Sequence, residues 1–189
     1  MCYALGCICV GYYLTLWRTG RDIRTLASGN VGARNVGRIL GKSGFVITLA
    51  GDFSKGALAL GMARSMELSP LVLMAAMLAV LIGHIWPVQL DFRGGKGVAV
   101  TLGMFAFFDL RLLIGLVVVF VLAWLVLRRY IISGIVALAA LPVVALAFKL
   151  GLVETTGIVL ITVLILVAHR SNIQGIRQRN RTQTDSADE

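Results

Sequence analysis

Acidic residues are scarce in this chain, with 9 Asp plus Glu against 18 Lys plus Arg, and charged residues of all kinds make up only 14%. So little charge on 189 residues is at odds with a water-soluble domain, whose surface needs far more. Histidine occurs twice and the acids are scattered, so no metal centre is expected. The three cysteines, Cys2, Cys7 and Cys9, have neither a CxxC spacing nor a nearby histidine, and they read as small apolar residues. No Lys or Arg precedes the first apolar stretch and a basic cluster follows it, the reverse of a secretory signal. That stretch is expected to be retained as a first span.

What is present is hydrophobic: 58% of the chain. Apolar runs lie at Cys2 to Trp17, Gly44 to Ala63, Pro70 to Leu90, Val98 to Phe108, Leu112 to Leu127, Ile131 to Phe148 and Thr155 to Ala168. Crossing a hydrocarbon core takes about 20 helical residues, so several runs are short. The fourth is the shortest of them, and a half-helix or a start within the preceding Gly-rich loop would account for it. The expectation is an all-α polytopic membrane protein with seven transmembrane helices.

Cytoplasmic loops accumulate Lys and Arg. Fourteen basic residues fall in one set of alternate loops: Arg18, Arg21, Arg24, Arg34, Arg38 and Lys42, then Arg93 and Lys96, then Arg128 and Arg129, then Arg170, Arg177, Arg179 and Arg181. The other set holds Arg64, Arg111 and Lys149, and Lys55 lies within the second run. The asymmetry puts the N-terminus outside and the C-terminus in the cytoplasm, which requires an odd number of spans. Residues 1–181 are expected to form one membrane domain and 182–189 a disordered polar tail. Ala75, Ala79 and Gly83 form a small-residue stripe suited to close helix packing.

Three segments could carry chemistry. The first loop, Ser28 to Arg38, mixes glycines (Gly32 among them), Asn30, Asn35 and two arginines. Glycine lets amides converge on an oxyanion, and Arg offers a planar charged fork. The same residues equally suit a turn and N-cap followed by a surface arginine. The second loop, Phe92-Arg93-Gly94-Gly95-Lys96-Gly97, opens into an apolar helix, and orphan amides with the helix dipole favour a phosphate there. A flexible basic hairpin is the plainer alternative. The third segment, His169-Arg170-Ser171-Asn172-Ile173, stands where the last run meets the cytoplasm, where a basic stop is also ordinary. Asp52 and Lys55, three apart within the second run, share a helix face and neutralise one another as a structural pair or a brace for the site. A nucleotide P-loop is excluded: GxxxxGK(S/T) ending at Ser43 would need glycine at Val36, and no strand precedes it.

In order and spacing, SGNVGARNVGR, GDFSKG, GHIWPVQLDFRGGKGVAV and HRSNI resemble the bacterial membrane glycerol-3-phosphate acyltransferases that use acyl phosphate. The resemblance covers nearly the whole chain. It implies a bacterial plasma (inner) membrane protein, multi-pass, with its active site on the cytoplasmic side, acting in phospholipid biosynthesis. The implied reaction is acyl transfer from acyl phosphate to the sn-1 hydroxyl of glycerol 3-phosphate, giving lysophosphatidate (1-acylglycerol 3-phosphate) and phosphate, with no cofactor. Glycerol 3-phosphate, acyl phosphate and membrane lipid are the expected partners, nucleic acid is not, and a monomer is expected.

Carried over by motif, Ser28, Arg38, Lys96 and His169 are expected catalytic residues. Substrate binding is expected of Asn30, Gly32, Asn35, Gly94, Gly95, Gly97 and Asn172, with Ser133 and His84 as weaker matches. The His-to-Asp spacing of peripheral glycerolipid acyltransferases is absent, since Gln89 and Gln174 stand five residues after His84 and His169. Departures from the family pattern include Arg34 in place of Thr, and Gly175, Arg179 and Arg181 in place of Arg, Gly and Glu. Ser133 stands three residues past Tyr130, displaced from the family's serine after an Arg-Tyr pair, and a usual first-span proline is missing. A catalytically altered paralogue, an organic-phosphate transporter and a non-catalytic scaffold whose basic loops hold anionic lipid or nucleic acid are the rival readings.

Overall fold

A computed structural model describes residues 1–174. Gly175, Arg179, Arg181 and the expected tail at 182–189 lie outside the described residues. Every regular element among the described residues is helical. The α-helices are α1 (Cys2–Cys7), α2 (Val10–Thr19), α3 (Ala33–Ser65), α4 (Pro70–Ile85), α5 (Val98–Phe108), α6 (Leu110–Leu127), α7 (Tyr130–Ala139), α8 (Leu141–Ala147) and α9 (Leu152–Ala168).

Length and apolarity suffice for crossing a membrane in Ala33–Ser65, Pro70–Leu90 and Leu110–Leu127, and in the α7–α8 pair if its 45° bend is taken as one span. The bend at Ala140 has an identifiable cause. Pro142, in the first turn of α8, has no N–H to give to the preceding turn. α5 and α9 coincide with the shorter runs read from the sequence, while the first run is broken into α1 and α2 at Ile8 and Cys9. α3 is interrupted at Gly41, whose φ of 73° is outside the helical region. A polar piece carrying Arg34 and Arg38 therefore precedes the apolar length of that helix.

Leu60, Met77, Leu81, Met104, Phe105 and Ile161 lie at the centre, fully buried. The outward face of α6 is apolar and exposed, with Ile114, Val118, Val121 and Leu122 among its residues, as expected of a lipid-facing helix. Close approach of helices depends on glycines. A Cβ at Gly56 would strike the Val100 carbonyl and one at Gly103 the Phe53 carbonyl, so α3 and α5 touch backbone to backbone. Gly83 packs in the same way against Tyr3 of α1. The stripe read from the sequence does not hold along its whole length. Ala75 is exposed, because α1 has only six residues and does not extend along α4 that far.

Replacing Gly103 by Leu should force α3 and α5 apart and lower stability by about 1–3 kcal/mol or more, as overpacking does. Thermal unfolding in detergent measures this; a midpoint equal to that of the wild type would contradict the backbone contact.

Candidate active site

The first loop is shaped by its own side chains. Asp22 caps a short 3-10 turn, Ile23–Thr25, by accepting from the Arg24 amide at 2.8 Å. Arg24 in turn holds the carboxyl of Asp22 below the usual carboxylate range by hydrogen bonding to it. The same guanidinium donates to the Leu90 carbonyl at 2.7 Å and pairs with Asp91 at 3.3 Å. Arg24 thus ties the first loop to the second, a role that sequence reasoning missed. Asp22, two residues earlier, was the available signal.

Asn35 is buried, accepts from the Ser28 amide at 3.0 Å and donates to the Leu26 carbonyl at 3.1 Å. Asn30 accepts from the Gly32 amide at 2.8 Å, and Gly32 is the residue before α3. Both asparagines therefore hold the loop's shape. Ser28 and Arg38 are exposed at this face, with Arg34 one turn before Arg38. Arg34 lies over the ring of Tyr130, 5.6 Å from its centroid.

In the second loop the amides of Gly94 and Gly95 bond back to the Ile85 and His84 carbonyls, each at 3.0 Å. These glycines close the end of α4. A Cβ at Gly94 would collide with the His84 carbonyl, and one at Gly95 with the His84 ring. Gly97 has φ 82° and no side chain caps α5 after it. The amides left for an anion are those of the first turn of α5.

Lys96, between these glycines, is half-buried and donates to Asn172 Oδ1 at 2.6 Å. Burial, and then the charge of Arg34, lower its affinity for a proton. His169, one turn from Asn172, is buried with its Nδ1 2.8 Å from the Ile165 carbonyl. A carbonyl only accepts, so Nδ1 carries the hydrogen and Nε2 the lone pair. Burial pulls the imidazole below the ordinary histidine range, and the Lys96 charge acts in the same direction. At neutral pH His169 is a neutral ring with a basic Nε2.

The structure thus brings Lys96, His169 and Asn172 together, with Arg34 close enough to act on Lys96. No hydrogen bond or ion pair among the described residues joins Ser28 or Arg38 to this group. Ser133 is fully buried and its hydroxyl donates to the Arg129 carbonyl at 3.0 Å. His84 is buried beneath Gly95.

The glycerol-3-phosphate acyltransferase family model matches residues 1–179. This chain belongs to that family. A curated relative, glycerol-3-phosphate acyltransferase 1 of Desulfitobacterium hafniense, is 41% identical over 91% of this chain and 85% of its own length. The glycerol-3-phosphate acyltransferase of Geotalea daltonii is 39% identical over 93% and 90%. Among solved structures, PlsY (YgiH), an integral membrane glycerol 3-phosphate acyltransferase, superposes in its glycerol 3-phosphate form with a TM-score of 0.85 at 32% identity, covering 94% of this chain and 88% of that one. Its lysophosphatidic acid form superposes at 0.82 and 30% identity. The chain is therefore an all-helical, multi-pass membrane protein of an acyltransferase family.

Because burial comes first and Lys96 second in holding His169 down, Lys96→Met should raise the midpoint of His169 toward the ordinary histidine value without restoring it fully. A nitrogen-15 NMR titration of the histidines reads this; a midpoint that stays put or falls would show that the two side chains do not sense one another.

Proposed function

We propose that the chain transfers a fatty acyl group from acyl phosphate to the sn-1 hydroxyl of glycerol 3-phosphate, releasing 1-acylglycerol 3-phosphate and inorganic phosphate. The observation that carries this reading is the juxtaposition of a Lys96 ammonium, the uncapped start of α5 and a neutral His169 with its lone pair on Nε2. The relatives named above contribute glycerol 3-phosphate as acceptor; acyl phosphate as donor follows from the motif resemblance and from the chemistry below.

Lys96 and the amides of α5 take the phosphate of the acceptor, where charge and dipole both favour an anion. The acceptor hydroxyl gives its proton to His169 Nε2 as its oxygen attacks the carbonyl carbon of acyl phosphate. The new ester C–O bond forms, the bond from that carbon to the phosphate oxygen breaks, and phosphate leaves with the bonding pair. Arg34 and Arg38 face it as fixed cations, and Ser28 donates a hydrogen bond. Asn172 aims the Lys96 ammonium. Phosphate is a good leaving group, so positioning and charge stabilisation carry most of the work. No carboxylate is needed, and none stands in this group among the described residues.

The basic loops support seven crossings with the N-terminus outside and this site on the cytoplasmic side of a bacterial plasma membrane. The acyl chain of the donor then lies between helices in the lipid layer.

Purified wild type, given palmitoyl phosphate, should release inorganic phosphate only when glycerol 3-phosphate is added. Lys96→Ala should lower that release by roughly 100-fold or more, the usual loss when one stabilising donor is removed. Acceptor-independent release, or none from folded wild type, would turn the assignment toward an altered paralogue or an organic-phosphate transporter.

A further inference from the structure

Asp52, Lys55 and His84 lie between α1, α3 and α4, at 2%, 4% and 2% exposure. Charges at such depth persist only when paired and hydrogen-bonded. The Lys55 ammonium contacts Asp52 Oδ1 at 3.0 Å, the Gly6 carbonyl at 3.0 Å, the Ile8 carbonyl at 2.9 Å and His84 Nδ1 at 2.8 Å. The two carbonyls are those left at the break between α1 and α2.

An ammonium has no lone pair, so His84 Nδ1 accepts and the ring proton sits on Nε2. That Nε2 faces Gly95, so closely that a Cβ there would strike it before anything else. On the other side of the same residue, the His84 carbonyl accepts the Gly95 amide at 3.0 Å. His84 therefore holds Gly95 through both its main chain and its ring. Lys96 is the next residue, and α5 begins two residues after that. The ring edge that carries Nε2 therefore packs directly against the glycine turn.

We propose that Asp52, Lys55 and His84 are positioning residues for the Gly94–Gly97 turn. Lys55 fixes the tautomer and plane of His84, and His84 fixes the backbone from which Lys96 and the first amides of α5 are aimed. The inference rests on the proposed function for its kinetic consequence, since the acceptor phosphate is what the turn would hold. The position of the turn itself does not depend on that reaction.

The test uses full-length protein in lipid and three variants. His84→Leu removes the Nδ1 acceptor, and His84→Asn retains an acceptor oxygen near that place. The paired change Asp52→Asn with Lys55→Met removes both charges together and so leaves neither unpaired. Hydrogen exchange at the Gly94 and Gly95 amides, read without substrate, should quicken about tenfold or more in His84→Leu and in the paired variant, and return most of the way in His84→Asn. In the same two variants the KM for glycerol 3-phosphate should rise about tenfold while that for palmitoyl phosphate changes by less than about twofold. Unchanged exchange at the turn overturns the proposal, as does a loss that strikes both substrates equally and follows the thermal midpoint. A wild type with no acceptor-dependent turnover would sink the proposed function, yet the exchange measurement would still decide the positioning role.

Discussion

Within an apolar surround, every helix end must have its polar groups satisfied by the protein itself. Three of the ends here are closed by side chains or returning loops. Lys55 takes the carbonyls of Gly6 and Ile8, and Gln89 donates to the Cys7 carbonyl. Arg64 takes the last two carbonyls of α5, Phe107 and Phe108, both at 2.8 Å. The end of α4 is closed by Gly94 and Gly95. The site follows from that last closure, because the turn that satisfies α4 also delivers Lys96 and the start of α5 to the same place. A glycine pair is needed since any side chain would push the turn off His84.

Acid scarcity then decides which cations are free to meet an anion. Asp22 and Asp91 are spent on Arg24, Asp52 on Lys55, and Asp109 on Arg111. Arg34, Arg38 and Lys96 are left with no acidic partner among the described residues. Arg34 leans on Tyr130, an arrangement that holds a guanidinium without neutralising it. Cations kept side by side in this way repel one another, and the charge of Arg34 adds to burial, the larger cause, in lowering the proton affinity of Lys96. An anion placed between them would relieve that repulsion.

The apolar runs placed most helices well, because a span announces itself by composition alone. Val98 to Phe108 is α5, and the run ending at Leu127 differs from α6 only at its start. What the runs did not contain were the breaks. Ile8 and Cys9 interrupt the first run without glycine or proline, and the distant Lys55 and Gln89 explain why a break there is tolerated. The interruption at Gly41 and the bend before Pro142 had visible local causes. The second loop was legible as a phosphate-binding candidate and the closing HRSNI segment as one that could carry chemistry, and the structure joins them through Lys96 and Asn172. The work of Asn30, Asn35 and Arg24 was not legible, since their partners are backbone groups that composition does not register.

The two histidines illustrate how a neighbour assigns a role that residue type leaves open. His169 meets a carbonyl, which forces the hydrogen onto Nδ1 and leaves a lone pair on Nε2. His84 meets an ammonium, which forces the hydrogen onto Nε2 instead. Each ring is neutral, yet one can receive a proton where a substrate hydroxyl would lie and the other can only donate toward the glycine turn. Exchanging their partners would exchange their chemistry. The proton positions of the two rings are therefore set by the Ile165 carbonyl and by Lys55, and that single buried lysine touches both the break in the first helix pair and the ring packed against the Gly94–Gly97 turn.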